Sequence, residues 1–205
     1  MWGSCGAGHE ALLLMRIIGG RFRGKRLASP GEAGGGVAHL RPTSDRVRES
    51  LFNLLAHGDY GEPPPPEGRR VLDLFAGTGA LGLEALSRGA ERVVFVDDFA
   101  TSRALIRENV EALGVIGQTK IWRRDATRLG RCRGAPFDLI FADPPYGAGL
   151  AGKALDAARE GGWIAPGAII VGELGAGEEV PQIASLTLVD QRRYGDTRIV
   201  IFRSS

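Results

Sequence analysis

The stretch Val71-Leu-Asp-Leu-Phe-Ala-Gly-Thr-Gly-Ala-Leu-Gly82 decides the fold. It opens on a short, mostly apolar run without polar alternation, the pattern of a strand buried on both faces. The chain then turns through Gly77 and Gly79, where no Cβ obstructs the backbone or anything that approaches it. Beyond the turn, residues 80–87 read as a helix. A strand, a glycine turn and a helix in this order open a βαβ unit.

Downstream the same alternation continues. Apolar, β-branched runs at 92–97, 119–122, 137–142 and 168–172 predict further strands, each too apolar for a solvated face, and helical patterns at 101–113 and 150–160 supply the crossovers. Two last runs, 186–190 and 198–203, flank the turn residues Tyr194-Gly195-Asp196 and predict an antiparallel hairpin. The expected architecture is α/β, with a mostly parallel seven-stranded sheet closed by that hairpin.

Upstream of Val71 the text differs. Residues 1–14 show no pattern and read as a loose extension ahead of Met15. Residues 15–27 alternate around glycines, as a short basic hairpin or arm would. A glycine-rich loop at 31–36 follows, and Val47, Leu51, Leu54 and Leu55 predict an amphipathic helix over 44–56. The prolines at 63–66 cannot continue a helix or enter a sheet interior, so they mark a boundary. The expected division is 1–14 extension, 15–68 basic arm and helix, and 69–205 main domain.

Composition narrows the function. Thirty-one of the 205 residues are glycine, about twice the usual share. The net charge of +2 hides an asymmetry, because residues 16–48 hold eight basic and two acidic residues and are +6, which leaves the rest of the chain at −4. The two cysteines are too few for a disulfide framework and too distant for a CxxC pattern, which predicts a reducing compartment. Neither a signal peptide nor a membrane span is readable, so the expected location is cytoplasmic. The three histidines stand without carboxylate or thiol at ligand spacing, and no metal is expected.

Acids stand at or just after the ends of the first four strands: Asp73, Asp97 or Asp98, Asp125 and Asp143. In open α/β sheets that edge binds ligands. Gly77, Gly79 and Gly82 also satisfy GxGxxG, with Asp97 placed as a ribose-binding acid would be, which leaves a dinucleotide reading open. Four carboxylates, however, suit a ligand that carries a sulfonium and an ammonium better than a pyrophosphate. After the fourth strand comes Asp143-Pro144-Pro145-Tyr146. An exocyclic amine on a nucleobase is a poor nucleophile because its lone pair is delocalised into the ring. If the Asp143 carboxylate and the Pro144 carbonyl accept its two hydrogens, that lone pair can turn toward a methyl donor. Tyr146 offers a face for stacking, worth ~1 to 3 kcal/mol.

These motifs together resemble the class I S-adenosylmethionine-dependent methyltransferases, with their Rossmann-like sheet. Met15-Arg-Ile-Ile-Gly-Gly20, Arg41-Pro-Thr-Ser-Asp-Arg-Val-Arg-Glu-Ser-Leu-Phe-Asn53 and Tyr194-Gly-Asp-Thr-Arg198 resemble, more narrowly, the bacterial 16S ribosomal RNA guanine-N2 methyltransferase family. The resemblance runs from Met15 to near the C-terminus. It implies S-adenosylmethionine as cofactor, with Asp73 and Phe75 in the turn region, Gly77 and Gly79 along the methionine part, Asp97 or Asp98 on the ribose, and Asp125 with the Ala126 amide at the adenine. It implies Asp143 and Pro144 on the guanine amine and Tyr146 stacked on the base. Arg21, Arg23, Lys25, Arg26, Arg41, Arg46 and Arg48 are then expected on RNA phosphates, the partner being 16S ribosomal RNA within a small-subunit particle and the protein a monomer. An adenine-N6 methyltransferase shares the Asp-Pro-Pro-Tyr residues, and a non-catalytic RNA-binding assembly factor is the alternative from another class.

Overall fold

The computed structural model describes residues 15–29 and 44–205. The extension at 1–14, the glycine loop at 31–36 and Arg41 lie outside the described residues. The elements, in order, are α1 (Asp45–His57), β1 (Arg70–Leu74), α2 (Ala80–Ser87), β2 (Arg92–Val96), α3 (Ala100–Ala112), β3 (Thr119–Trp122), β4 (Phe137–Ala142), α4 (Leu150–Glu160), β5 (Ile164–Gly175), β6 (Leu186–Tyr194) and β7 (Thr197–Ser204). They form one seven-stranded sheet ordered β3-β2-β1-β4-β5-β7-β6. Pairings from β3 through β5 are parallel, and β7 pairs antiparallel with both β5 and β6.

Alternation along the strands divides the core into two layers. Val71, Val93, Phe95, Leu139, Phe141 and Val171 pack toward α1, α2 and α3. Their neighbours Leu72, Leu74, Val94, Ile140 and Ile170 pack toward α4 on the other face. Both faces are covered, as parallel sheets require. The exception is β3, whose residues are only half-buried or exposed. It is the sheet edge, so the expectation that every parallel strand lacks a solvated face fails there. β5 and β6 also run longer than their apolar cores, because β7 continues to pair with them as far as Gly175 and Tyr194.

The basic N-terminal segment is a hairpin. Arg16 pairs with Arg26, the Ile17 amide donates to the Lys25 carbonyl, and the Leu27 amide donates to the Met15 carbonyl. Met15, Ile17 and Leu27 are buried in the same core as α1 and the sheet. Glu84 on α2 holds the hairpin in place. It is fully buried and accepts the Ile18 and Gly19 amides, each at 2.8 Å, and the Arg88 Nε at 2.7 Å.

Arg48 is a correction to the sequence reading. It was expected on an RNA phosphate, yet the structure buries it completely. Its guanidinium donates to the Arg16 carbonyl at 2.6 Å and to Asp45 at 2.8 Å, and lies 4.0 Å from Glu84. The hairpin covers that side of the helix, so a face that would be solvated on an isolated helix is internal. Among the described residues, no helix is long and apolar enough to cross a membrane.

Candidate functional site

A cavity of about 540 Å³ opens at the carboxyl edge of the parallel strands. It is lined by the ends of β1, β2, β3 and β4 and by residues of β5 and the β6–β7 turn. Every candidate outside the basic segment reaches it except Gly79: Asp73, Phe75, Gly77, Asp97, Asp98, Asp125, Ala126, Asp143, Pro144 and Tyr146 all line its wall. Gly79 lies directly behind, as the residue before α2.

The glycine turn is shaped by backbone conformations that L side chains avoid. Gly77 and Gly79 have φ of 57° and 79°, and Phe75, with a side chain, is held at 60°. An aromatic residue in that region is strained, and such strain collects at ligand-binding loops. The turn is fixed from three sides. The Gly77 amide donates to Asp97 Oδ2 at 2.9 Å, the Ala76 amide to the Val96 carbonyl, and Asn109 of α3 donates to the Thr78 carbonyl at 3.0 Å. Gly82 answers a different need. A Cβ there would stand 2.4 Å from a Phe95 ring carbon, so its absence lets α2 lie directly on the sheet.

The acids divide by task. Asp73 is buried and accepts the Gly82 amide at 2.9 Å, anchoring α2 to β1. Burial pushes its carboxyl well above the usual range; the Gly82 amide opposes this, while Asp143 and Asp97 add to it. Asp97, also buried, takes amides from both Gly77 and Phe99. Burial raises its carboxyl, and the amides of Gly77 and Phe99 and the Ser102 hydroxyl counter that rise. Asp98 is exposed at the rim. Asp125 caps the short turn at Ala126–Arg128 by accepting the Thr127 amide and hydroxyl, and that hydroxyl holds its carboxyl below the ordinary range.

After β4, Pro144 is buried and Asp143 half-buried. The Tyr146 hydroxyl donates to Glu173 Oε1 at 2.6 Å and is 2.8 Å from the Thr197 hydroxyl. Burial raises this phenol strongly, and the bond to Glu173 adds to it. A Cβ on Gly175 would contact the ring at 3.5 Å, so the ring rests where that glycine has no side chain. Glu173, Tyr194, Asp196 and Thr197 complete this wall, and none was singled out as a site residue from the sequence. Tyr194, Asp196 and Thr197 stand in the Tyr194–Arg198 motif, where the signal was a turn. Glu173 gave no signal, as it follows an apolar run that reads as complete at Gly172.

Among the basic residues, Arg21, Arg23, Lys25, Arg26 and Arg46 are exposed on the hairpin and α1. Arg21 also reaches Gln118 at 2.6 Å. Met15, Ser44 and Val47, beside these segments, line the cavity, so the basic surface adjoins its mouth.

Comparison with known proteins agrees with this architecture. A solved structure from Escherichia coli, named provisionally as a methyltransferase, superposes with a TM-score of 0.76 at 32% identity, covering 93% of this chain and 98% of that one. Ribosomal RNA small subunit methyltransferase D of Escherichia coli K12 is 39% identical over 163 residues, 79% of this chain and 75% of the relative. The protein of the same name from Haemophilus influenzae is 33% identical over 184 residues, 88% of this chain and 89% of the relative. A family model described as conserved hypothetical protein 95 matches residues 15–203. The chain belongs to that family and carries its fold, a Rossmann-like methyltransferase sheet with a C-terminal antiparallel hairpin.

Proposed function

We propose that this protein transfers a methyl group from S-adenosylmethionine to the exocyclic N2 amine of a guanine in 16S ribosomal RNA, presented by a small-subunit particle. One observation carries the reading. The Asp143–Tyr146 loop and the strained glycine turn share a single cavity, so a methyl donor and an amine can meet there. The printed names of the relatives, ribosomal RNA small subunit methyltransferases, support the substrate class.

The residues fit the cofactor. The turn at Gly77 and Gly79 leaves room for its methionine part, and the cavity is of a size that holds such a ligand. Asp97, fixed in place by two backbone amides, takes the ribose hydroxyls, and Asp98 adds negative charge at the rim. Asp125 holds the turn that presents the Ala126 amide to the adenine. When bound, the cofactor supplies a methyl group on a sulfonium, ready for displacement.

Asp143 and the Pro144 carbonyl accept the two hydrogens of the guanine amine and turn its lone pair toward the methyl carbon. The new N–C bond forms as the C–S bond breaks, and the amine releases one proton to Asp143 or to water. Positioning does most of this work, so no strong base is needed. Tyr146, with its hydroxyl held by Glu173 and Thr197, keeps its ring ready for stacking. A paired guanine must leave its helix first, at a cost of a few kcal/mol. Stacking and phosphate contacts from Arg21, Arg23, Lys25, Arg26 and Arg46 offset that cost.

Asp143→Ala should abolish isotope transfer from labelled S-adenosylmethionine, while calorimetry shows cofactor affinity within about threefold of wild type. Turnover at the wild-type rate in this variant would contradict the mechanism, and would leave Asp143 a turn residue.

A further inference from the structure

The cavity holds one more acid that methyl transfer, as described above, uses only to hold a tyrosine. Glu173 is 8% exposed, lines the cavity and accepts the Tyr146 hydroxyl at 2.6 Å. β4 and β5 run parallel with Ala142 beside Gly172. Asp143 follows Ala142 at the end of β4, and both acids line the cavity with Tyr146. Two acids therefore share the cavity wall with the ring on which the base would rest.

The two nucleobases that this kind of loop can serve differ next to the reacting amine. In guanine the N2 amine stands beside N1–H, a second donor. In adenine the N6 amine stands beside N1, an acceptor. Asp143 and the Pro144 carbonyl recognise only the amine, so they do not separate the two bases. A carboxylate one strand away does, because it has no hydrogen to offer and about four positions at which to accept one. The Tyr146 hydroxyl uses one of these positions.

We infer that Glu173 accepts the N1–H of the target guanine and is the residue that selects guanine over adenine. The inference rests on the methyl-transfer reading of the same site. An adenine in this pose would set its N1 lone pair against a carboxylate oxygen with no proton between them, leaving both acceptors desolvated and unpaired.

The test uses 2-aminopurine, which keeps the 2-amine but has an acceptor at N1. Small-subunit particles are reconstituted with guanine or with 2-aminopurine at the methylated position, and initial rates are measured for wild type, Glu173→Gln and Tyr146→Phe. Wild type should prefer guanine by about 10- to 100-fold, the worth of a hydrogen bond to a charged group. Glu173→Gln, whose amide can donate to N1, should lose most of this preference. Tyr146→Phe keeps the carboxylate and should retain it.

Equal wild-type rates on the two substrates would overturn the inference without recourse to any variant. So would an undiminished preference in Glu173→Gln, or a preference lost equally in Tyr146→Phe, which would leave Glu173 as a support for the ring alone. Methylation of an adenine by the wild-type protein would instead overturn the guanine reading itself. The two failures are therefore distinguishable.

Discussion

Asp73 and Asp97 show what the cavity demands of single residues. Both carboxyls are buried, and burial raises both above the ordinary value of 3.8. A group whose pKa is higher in the folded than in the unfolded protein stabilises fully below the unfolded value, and that contribution is lost as pH climbs through the folded value. Stability is thus expected to fall as pH rises above about 4. Asp73→Asn keeps an acceptor for the Gly82 amide and has nothing to ionise. Its melting temperature should therefore decline less than that of wild type between about pH 5 and about pH 8, as thermal unfolding at both values would show; parallel declines would contradict this. The acids at strand ends were legible because they recur once per βα unit. Which of them are buried was not legible, since that depends on how α2 and α3 close over the turn.

Among the elements, the N-terminal hairpin is anchored by Glu84, with Ser87, Asn109 and Arg48 also hydrogen-bonded to its backbone. Glu84 gathers two hairpin amides and Arg88, with Arg48 of α1 close by, so it joins hairpin, α1 and α2 at a single point. Removing one partner of a buried charge cluster costs about 3 to 5 kcal/mol, because the rest are left desolvated. Glu84→Ala should be destabilised by about that amount in urea unfolding, and a loss below about 1 kcal/mol would show that the other hydrogen bonds and the apolar contacts suffice to hold the hairpin. Helix positions and the parallel strands were legible from apolar runs, with β4, α2 and α4 placed at their observed bounds. The burial of Arg48 was not. Two of its partners, the Arg16 carbonyl and Glu84, lie more than thirty residues away, and periodicity within one helix carries no information about them.

For the molecule as a whole, the near-neutral charge is the sum of an acid-lined cavity and a basic surface beside its mouth. The motifs made the glycine turn and the Asp-Pro-Pro-Tyr loop at the carboxyl edge of the sheet legible, because each places a demanding backbone turn at a strand end. The far wall of the cavity was not, because β5 and the β6–β7 turn supply it only once β7 inserts antiparallel between β5 and β6. That insertion brings Thr197 to Tyr146, 51 residues away in sequence. The proposed methylation of a guanine N2 amine in this cavity is open to direct test. The most direct measurement is the identity of the nucleoside made when the protein acts on unmodified small-subunit particles with labelled S-adenosylmethionine, read by mass spectrometry after digestion. N2-methylguanosine from 16S ribosomal RNA is the expected product, and a label found in N6-methyladenosine, or in no nucleoside at all, would contradict the proposed function.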